Sequence, residues 1–189
     1  MRGSAIVRAA LTGTLAAIIL GCGGGGGGSN DVISHLLCSG SSAPAPDQVT
    51  LGCPATGIDS ITLSVHLGGP TTSSSIYGLK FDLVFDPSVV QFEPPAMEGG
   101  FLKKDGASTI MQVGPDPGNP GRLIVAITRQ GAVGGLQASS ADQTVITLLF
   151  RGVATGSTTI AFENAAVVDS SLQAIPSIAF GTPLTLAFN

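Results

Sequence analysis

The sequence predicts an all-β fold, a two-sheet β-sandwich of about nine short strands. Three observations lead there. Large apolar residues alternate with polar ones in short runs, the period of a strand with one face in a core and one in solvent. Gly, Pro, Asn and Asp punctuate most gaps between those runs, as in "GPDPGNPG" and "GAVGG". No window of helical length carries a convincing apolar stripe, and Leu136 to Val145 has room for one helical turn at most. Composition agrees. Apolar residues make up 43% of the 189, and charged residues make up only 11%, against roughly 25% in an ordinary soluble domain. The remainder is rich in Val, Ile, Thr, Ser and Gly, which favours strands over helices.

The first 21 residues lie outside that pattern. Arg2 and Arg8 form a positive n-region before an apolar stretch, Ala9 to Leu20. A membrane-spanning helix needs ~20 apolar residues, so this shorter stretch is expected to be the h-region of a secretory signal. It ends in Ile19-Leu20-Gly21-Cys22, which resembles the bacterial lipobox: aliphatic residues, a small residue, then cysteine. The resemblance implies cleavage before Cys22 and lipidation of its thiol and new amine; the alternative is an ordinary signal with an incidental cysteine. Several acyl chains on one residue would hold the chain firmly to a membrane. Gly23 follows the cysteine where an Asp would imply inner-membrane retention in Gram-negative lipoproteins, so in a Gram-negative host the expected location is the outer membrane or cell surface.

Gly23 to Gly28 is an uninterrupted glycine run, and residues 22–57 as a whole read as a Gly/Ser/Pro-rich tether. The run is not a phosphate loop, which requires a strand before it and a helix after it. Once Cys22 is assigned to lipid, Cys38 and Cys53 remain. In an exported, oxidising setting they are expected to form a disulfide. Metal binding is the rival, but two thiols with only His35 nearby are too few for a zinc site.

The sandwich is expected over residues 58–189. "ITLSVHL" sends Ile61, Leu63, Val65 and Leu67 one way and Thr62, Ser64 and His66 the other. "GLKFDLVF" sends Leu79, Phe81, Leu83 and Phe85 inward, with Tyr77 in phase, and turns Gly78, Lys80, Asp82 and Val84 outward. Asp86-Pro87-Ser88 then forces a corner: Asp accepts a bond from the backbone two residues on, and Pro presets the turn dihedral and lacks a ladder donor. "VVQF", "STIMQV", "GRLIVAIT", "QTVITLLFRG", "STTIAFEN", "AAVVDS" and "PLTLAF" complete the series.

The ordered set "GLKFDLVFDPSVVQF", "GGFL", "GRLIVAITRQG", "TVITLLFRGVATGSTTIAFENAAVVD" and "PLTLAF" resembles the cohesin domain over roughly residues 58–189. The resemblance implies a nine-stranded jelly roll related in fold to bacterial carbohydrate-binding modules. It also implies a function, docking a dockerin partner in polysaccharide-degrading assemblies. In the best-known dockerin-binding cohesins an Asn and an Asp, two apart on the strand before the Asp-Pro corner, carry recognition. Here those positions are Gly78 and Lys80, with Asp82 further along the same face. These three are the partner-binding candidates, with an ordinary solvated face as the alternative reading. The other partner weighed is a polysaccharide bound directly, without a protein partner.

Other chemistry finds little support. Without Arg2 and Arg8, six basic residues face twelve acidic ones, a net charge near −6, and Lys103-Lys104 is the only adjacent basic pair. Nucleic-acid binding needs a dense positive face, so none is expected. No catalytic residue is assigned: His35 lies in the tether, His66 on an outward strand position, and most acids sit in turns. Asp116 and Asn119 in "GPDPGNPG" suit a structured turn better than a calcium site, so no metal or other cofactor is expected. Sugar binding usually wants an exposed aromatic platform; Trp is absent and the Phe residues fall mostly on inward positions.

Overall fold

A computed structural model describes residues 34–41, 45–68, 75–137 and 144–189. Twelve strands run through them: β1 (His35–Ser39), β2 (Gln48–Gly52), β3 (Thr56–Ile58), β4 (Ser60–Leu67), β5 (Gly78–Val84), β6 (Val90–Glu98), β7 (Thr109–Asp116), β8 (Asn119–Arg129), β9 (Thr144–Gly152), β10 (Gly156–Val168), β11 (Ala179–Phe180) and β12 (Leu184–Phe188). They form two sheets facing each other, a seven-stranded one in the order β3-β1-β12-β10-β5-β8-β7 and a five-stranded one in the order β11-β2-β4-β9-β6. The expected all-β jelly-roll sandwich is therefore the architecture.

The alternation explains the layers. Ile61, Leu63, Val65 and Leu67 of β4 face Leu79, Phe81 and Leu83 of β5 across one core, joined by Leu123, Val125 and Ile127 of β8, all at most 2% exposed. Two aromatic groups cross the gap between sheets. Phe81 and Phe162 meet edge to face at 5.2 Å, and Phe162 meets Phe180 at 5.2 Å. Phe85 meets Phe150 at 5.2 Å on nearly perpendicular planes, the arrangement that ring quadrupoles favour. All eight Phe residues are buried or packed against the core.

Three sequence expectations change. Much of residues 22–57 is not tether: β1, β2 and most of β3 belong to the sandwich. β1 lies between β12 and β3, pairing Leu36 with Phe188 and His35 with Ile58. Leu36 and Val49 are fully buried, so the patch "HLLC" and the run "QVTLG" have a core to enter. His35 accordingly sits on a strand, exposed, and not in a linker. Cys38 and Cys53 are bonded, their Cα atoms 6.4 Å apart, which ties β1 in one sheet to the end of β2 in the other. The assigned signal (1–21), Cys22 and the glycine run lie outside the described residues.

"STTIAFEN" and "AAVVDS" are one strand, β10, and not two. The Asn that suggested a break, Asn164, takes the left-handed conformation at φ 48°. It is absorbed as a bulge between Glu163, opposite Asp82, and Ala166, opposite Lys80. The strand expected from "VVQF" also runs on through Pro94 and Pro95 to Glu98; it is an edge strand, where a missing ladder donor is tolerated.

The Asp-Pro-Ser corner forms as expected. Asp86 Oδ1 accepts bonds from the Ser88 amide at 2.9 Å and the Ser88 hydroxyl at 2.6 Å. Those bonds hold the Asp86 carboxyl below its ordinary range, the hydroxyl contributing most. The Asp86 amide donates to Thr158 Oγ1 of β10 at 2.7 Å, which fixes the corner to the neighbouring strand.

Candidate docking face

The three candidate residues lie on β5, at the centre of the outer face of the seven-stranded sheet. Antiparallel register puts directly opposed residues on the same side. Gly78 stands between Thr128 of β8 and Val168 of β10, Lys80 between Ala126 and Ala166, and Asp82 between Ile124 and Glu163. β7 continues the face with Ile110 opposite Thr128 and Gln112 opposite Ala126.

Gly78 keeps its outward register, yet it is buried. A Cβ there would come within 2.9 Å of the Ile127 carbonyl oxygen and of Thr128 Oγ1. The position therefore excludes a side chain, and its bareness leaves a hollow of about 190 Å³ floored by Gly78, Ala126 and Thr128 and walled by Lys80, Val168 and Leu172. Leu172 (66% exposed) lines it, and Ile110 (47%) on β7 and Ile124 (46%) on β8 are exposed elsewhere on the same face.

Asp82 does not stand free. Its Oδ2 accepts from Arg122 Nη1 at 2.6 Å and from Asn164 Nδ2 at 2.7 Å, and Arg122 Nη2 reaches Glu163 Oε2 at 2.7 Å. Asp82 together with Glu163 raises the proton affinity of Arg122, Asp82 having the larger effect. One guanidinium thus joins β5, β8 and β10, and the β10 bulge places Asn164 to complete the cluster. Arg122, Ile124 and Ala126 were legible as the outward phase of "GRLIVAIT". Nothing in the sequence signals Asn164 or Leu172, whose positions depend on left-handed backbone.

Lys80 is the exception among the cations. Of the six described Lys and Arg residues, Lys103 approaches Glu98 at 3.5 Å, Lys104 donates to the Gln137 carbonyl at 2.7 Å, and Arg151 pairs with Glu93 at 2.8 Å. Arg129, almost fully buried, donates to the Leu102 carbonyl and to Asp105 Oδ2, each at 2.6 Å. Lys80 is exposed and, among the described residues, has no such partner.

The remaining candidates resolve as turn or packing chemistry. Asp116 Oδ1 accepts from the Gly118 amide and Asn119 Oδ1 from the Gly121 amide, so both oxygens serve the β7–β8 hairpin. Among the described residues, no three of His, Cys, Asp or Glu are grouped to hold a metal ion. His66 lies 3.4 Å from Thr144 Oγ1, and its ring covers Gly52. The Tyr77 hydroxyl donates to the Gly131 carbonyl at 3.0 Å.

No sequence-family profile matches the chain, and no curated protein matches it. Solved structures do. A type II cohesin–X–dockerin complex from Acetivibrio cellulolyticus, mutated at its N-terminal interface, matches at 15% identity and a TM-score of 0.55, over 71% of this chain and 96% of the other. The second type II cohesin module of the cellulosomal adaptor ScaA scaffoldin, from the same organism, gives 15% and 0.55, over 70% and 91%. A type II cohesin domain from that organism's cellulosome gives 14% and 0.52, over 75% and 93%. Identity this low speaks to architecture alone, and the architecture is that of the cohesin fold.

Proposed function

We propose that this protein is an extracytoplasmic docking module that recruits a protein partner of the dockerin type through the outer face of β10, β5, β8 and β7. The observation that carries the reading is the exposure of Ile110 and Ile124 on one outer sheet face that also holds a hollow, with exposed Leu172 of the turn after β10 at its edge. Scattered single apolar residues need no explanation, but a cluster of them on one face is what interaction sites present. Two of the similar structures fit this use: one is a cohesin–X–dockerin complex and another a scaffoldin module. All eight Phe residues are buried or packed against the core, which leaves no exposed aromatic platform for a sugar and weighs against direct polysaccharide binding. Gly78, Lys80 and Asp82 belong to the proposed face, though only Lys80 presents an uncommitted group. Nothing in this reading calls for catalysis.

Lipid on Cys22 would make the module a docking point at a membrane or cell surface, with polysaccharide-degrading enzymes as the expected cargo. Calorimetry of the full chain against a panel of dockerin modules tests the docking. Micromolar or tighter binding to at least one, lost in Ile124→Glu, is expected. Retardation in polysaccharide affinity gels with no dockerin bound would instead favour the sugar reading. A palmitate analogue should label the wild type and not Cys22→Ala; label persisting in the variant rejects the anchor.

A further inference from the structure

The hollow over Gly78 combines features that the fold itself does not require. Its floor is a block of small side chains on two neighbouring strands, Gly78 on β5 with Ala126 and Thr128 on β8. Its far wall is Leu172, which adopts φ 61° while 66% exposed. A left-handed backbone is unfavourable for a branched aliphatic residue, and exposure gives it no packing in return. The conformation is nevertheless imposed from both sides. Asp169 Oδ1 accepts from the amides of Ser171 at 2.8 Å and Gln173 at 2.9 Å. The Leu172 amide donates to the Asp169 carbonyl at 2.9 Å, and Val168 bridges to Ala174. A tight, fully bonded turn thus presents one large apolar side chain to solvent beside an empty hollow.

Charge adds a direction. Lys80 stands at the rim as the one described Lys or Arg without an acidic or carbonyl partner, in a chain that is otherwise acidic. One step along the same face, about 7 Å at strand spacing, Asp82 shares Arg122 with Glu163, a cluster with one net negative charge. The face is therefore positive beside the hollow and negative beyond it.

We infer that the hollow receives one aliphatic side chain of the partner, held between Leu172 and the small-residue floor, and that Lys80 pairs with a partner carboxylate next to it. This rests on the docking reading above and specifies the chemistry of the partner. Closing the hollow excludes water from around the Lys80 pair, which makes the pair matter more than an open surface contact. The acidic cluster one step away rejects the same partner docked in reverse, since its carboxylate would then meet Asp82 and Glu163.

A display library of three-helix scaffolds with one randomised helix face, selected on the full chain, tests this. Binders should carry an aliphatic residue with Asp or Glu within one helical turn of it. Their affinity should fall at least tenfold on Lys80→Glu and on Leu172→Asn, a change that keeps a residue tolerant of the left-handed backbone. A binder whose acid is changed to Lys should regain affinity for Lys80→Glu. Ile124→Glu, on the same face but outside the hollow, separates the two levels. Binders lost on Ile124→Glu but indifferent to both other variants would overturn the hollow and leave docking on this face intact. Binders indifferent to all three, for example seated on the opposite sheet around Thr62 and Thr147, would overturn both.

Discussion

The two outer faces of this sandwich are made by the same rule and differ in almost everything else. On the five-stranded sheet the outward positions mix hydroxyls with Leu149, Met97 and one ion pair. Ser64 stands opposite Thr147, and Thr62 opposite Leu149. A depression lies there too, where β6 bulges between Glu93 and Met97, lined by Thr62, Pro95, Met97, Thr147 and Leu149. Its charges are spent on each other in the half-exposed Arg151–Glu93 pair. The seven-stranded face carries a three-strand ion cluster, the exposed aliphatic residues Ile110 and Ile124 and one uncommitted lysine. Alternation decides which residues leave the core. It does not decide what the resulting face does, and that rests on a handful of outward identities.

The largest expected effect tests whether the faces are independent at all. The Cys38–Cys53 bond closes a 15-residue separation and joins the two sheets. Replacing both cysteines with Ser should cost about 3 kcal/mol of unfolding free energy, measured by denaturant titration. Amide exchange should then rise in both sheets together. A rise confined to β1 and β3 would show that the remaining sandwich couples its sheets without the bond, and that the faces respond separately.

Next comes a pair of matched substitutions. Gly78→Val drives a side chain against the Ile127 carbonyl, a backbone atom that cannot swing aside. It should cost ~2 kcal/mol, the usual scale of overpacking. Ser64→Val, on the other face, meets a half-buried strand position well suited to a β-branched residue and should change stability by under about 0.5 kcal/mol. Equal costs would remove the structural distinction between the faces.

These contrasts also show what the sequence could convey. The layered core was legible because period-two alternation has one physical meaning in a strand buried on one face, and Leu79, Phe81 and Leu83 are buried as their spacing required. The Asp86-Pro87-Ser88 corner was legible because its bonds are local. The strands at residues 35–58 were missed because they are short, lie among linker-like residues, and gain their burial by pairing with β12, distant in sequence, and with β4. The candidate site was half legible. Periodicity put Lys80 and Asp82 outward, but Asp82's capture by Arg122 and Asn164 spans 40 and 82 residues of chain. Gly78 read as a mere absence of side chain, whereas its crowded surroundings make it a structural requirement.

A smaller effect concerns the ion pairs. Arg122→Met should lower the midpoint of thermal unfolding, and the loss should shrink in high salt, because it leaves the Asp82 and Glu163 carboxylates without the cation between them. Arg151→Met, which breaks an exposed two-member pair, should cost about 0.5 kcal/mol or less. If Arg151→Met proves the more harmful, the three-strand cluster is not what distinguishes the seven-stranded face.

The smallest effect is a slope with pH, and it belongs to the seven-stranded sheet. Arg129, the last residue of β8, is held by the Leu102 carbonyl and Asp105, and the hydrogen bond from Arg129 keeps the Asp105 carboxyl below its ordinary value of 3.8. A carboxyl with a lowered folded pKa contributes stability that is fully present above the unfolded value. That contribution is lost as pH falls through the folded one. The wild type should therefore exceed Asp105→Asn in denaturant midpoint by a constant margin from pH 7 to pH 5, and the margin should narrow below pH 4. Since Asp105 secures the end of β8, amide exchange in β8 and β7 should rise ahead of that in β4 and β9 over the same acid range. A margin that stays constant down to pH 2.5 would mean that the charge on Asp105 does not hold β8 in place.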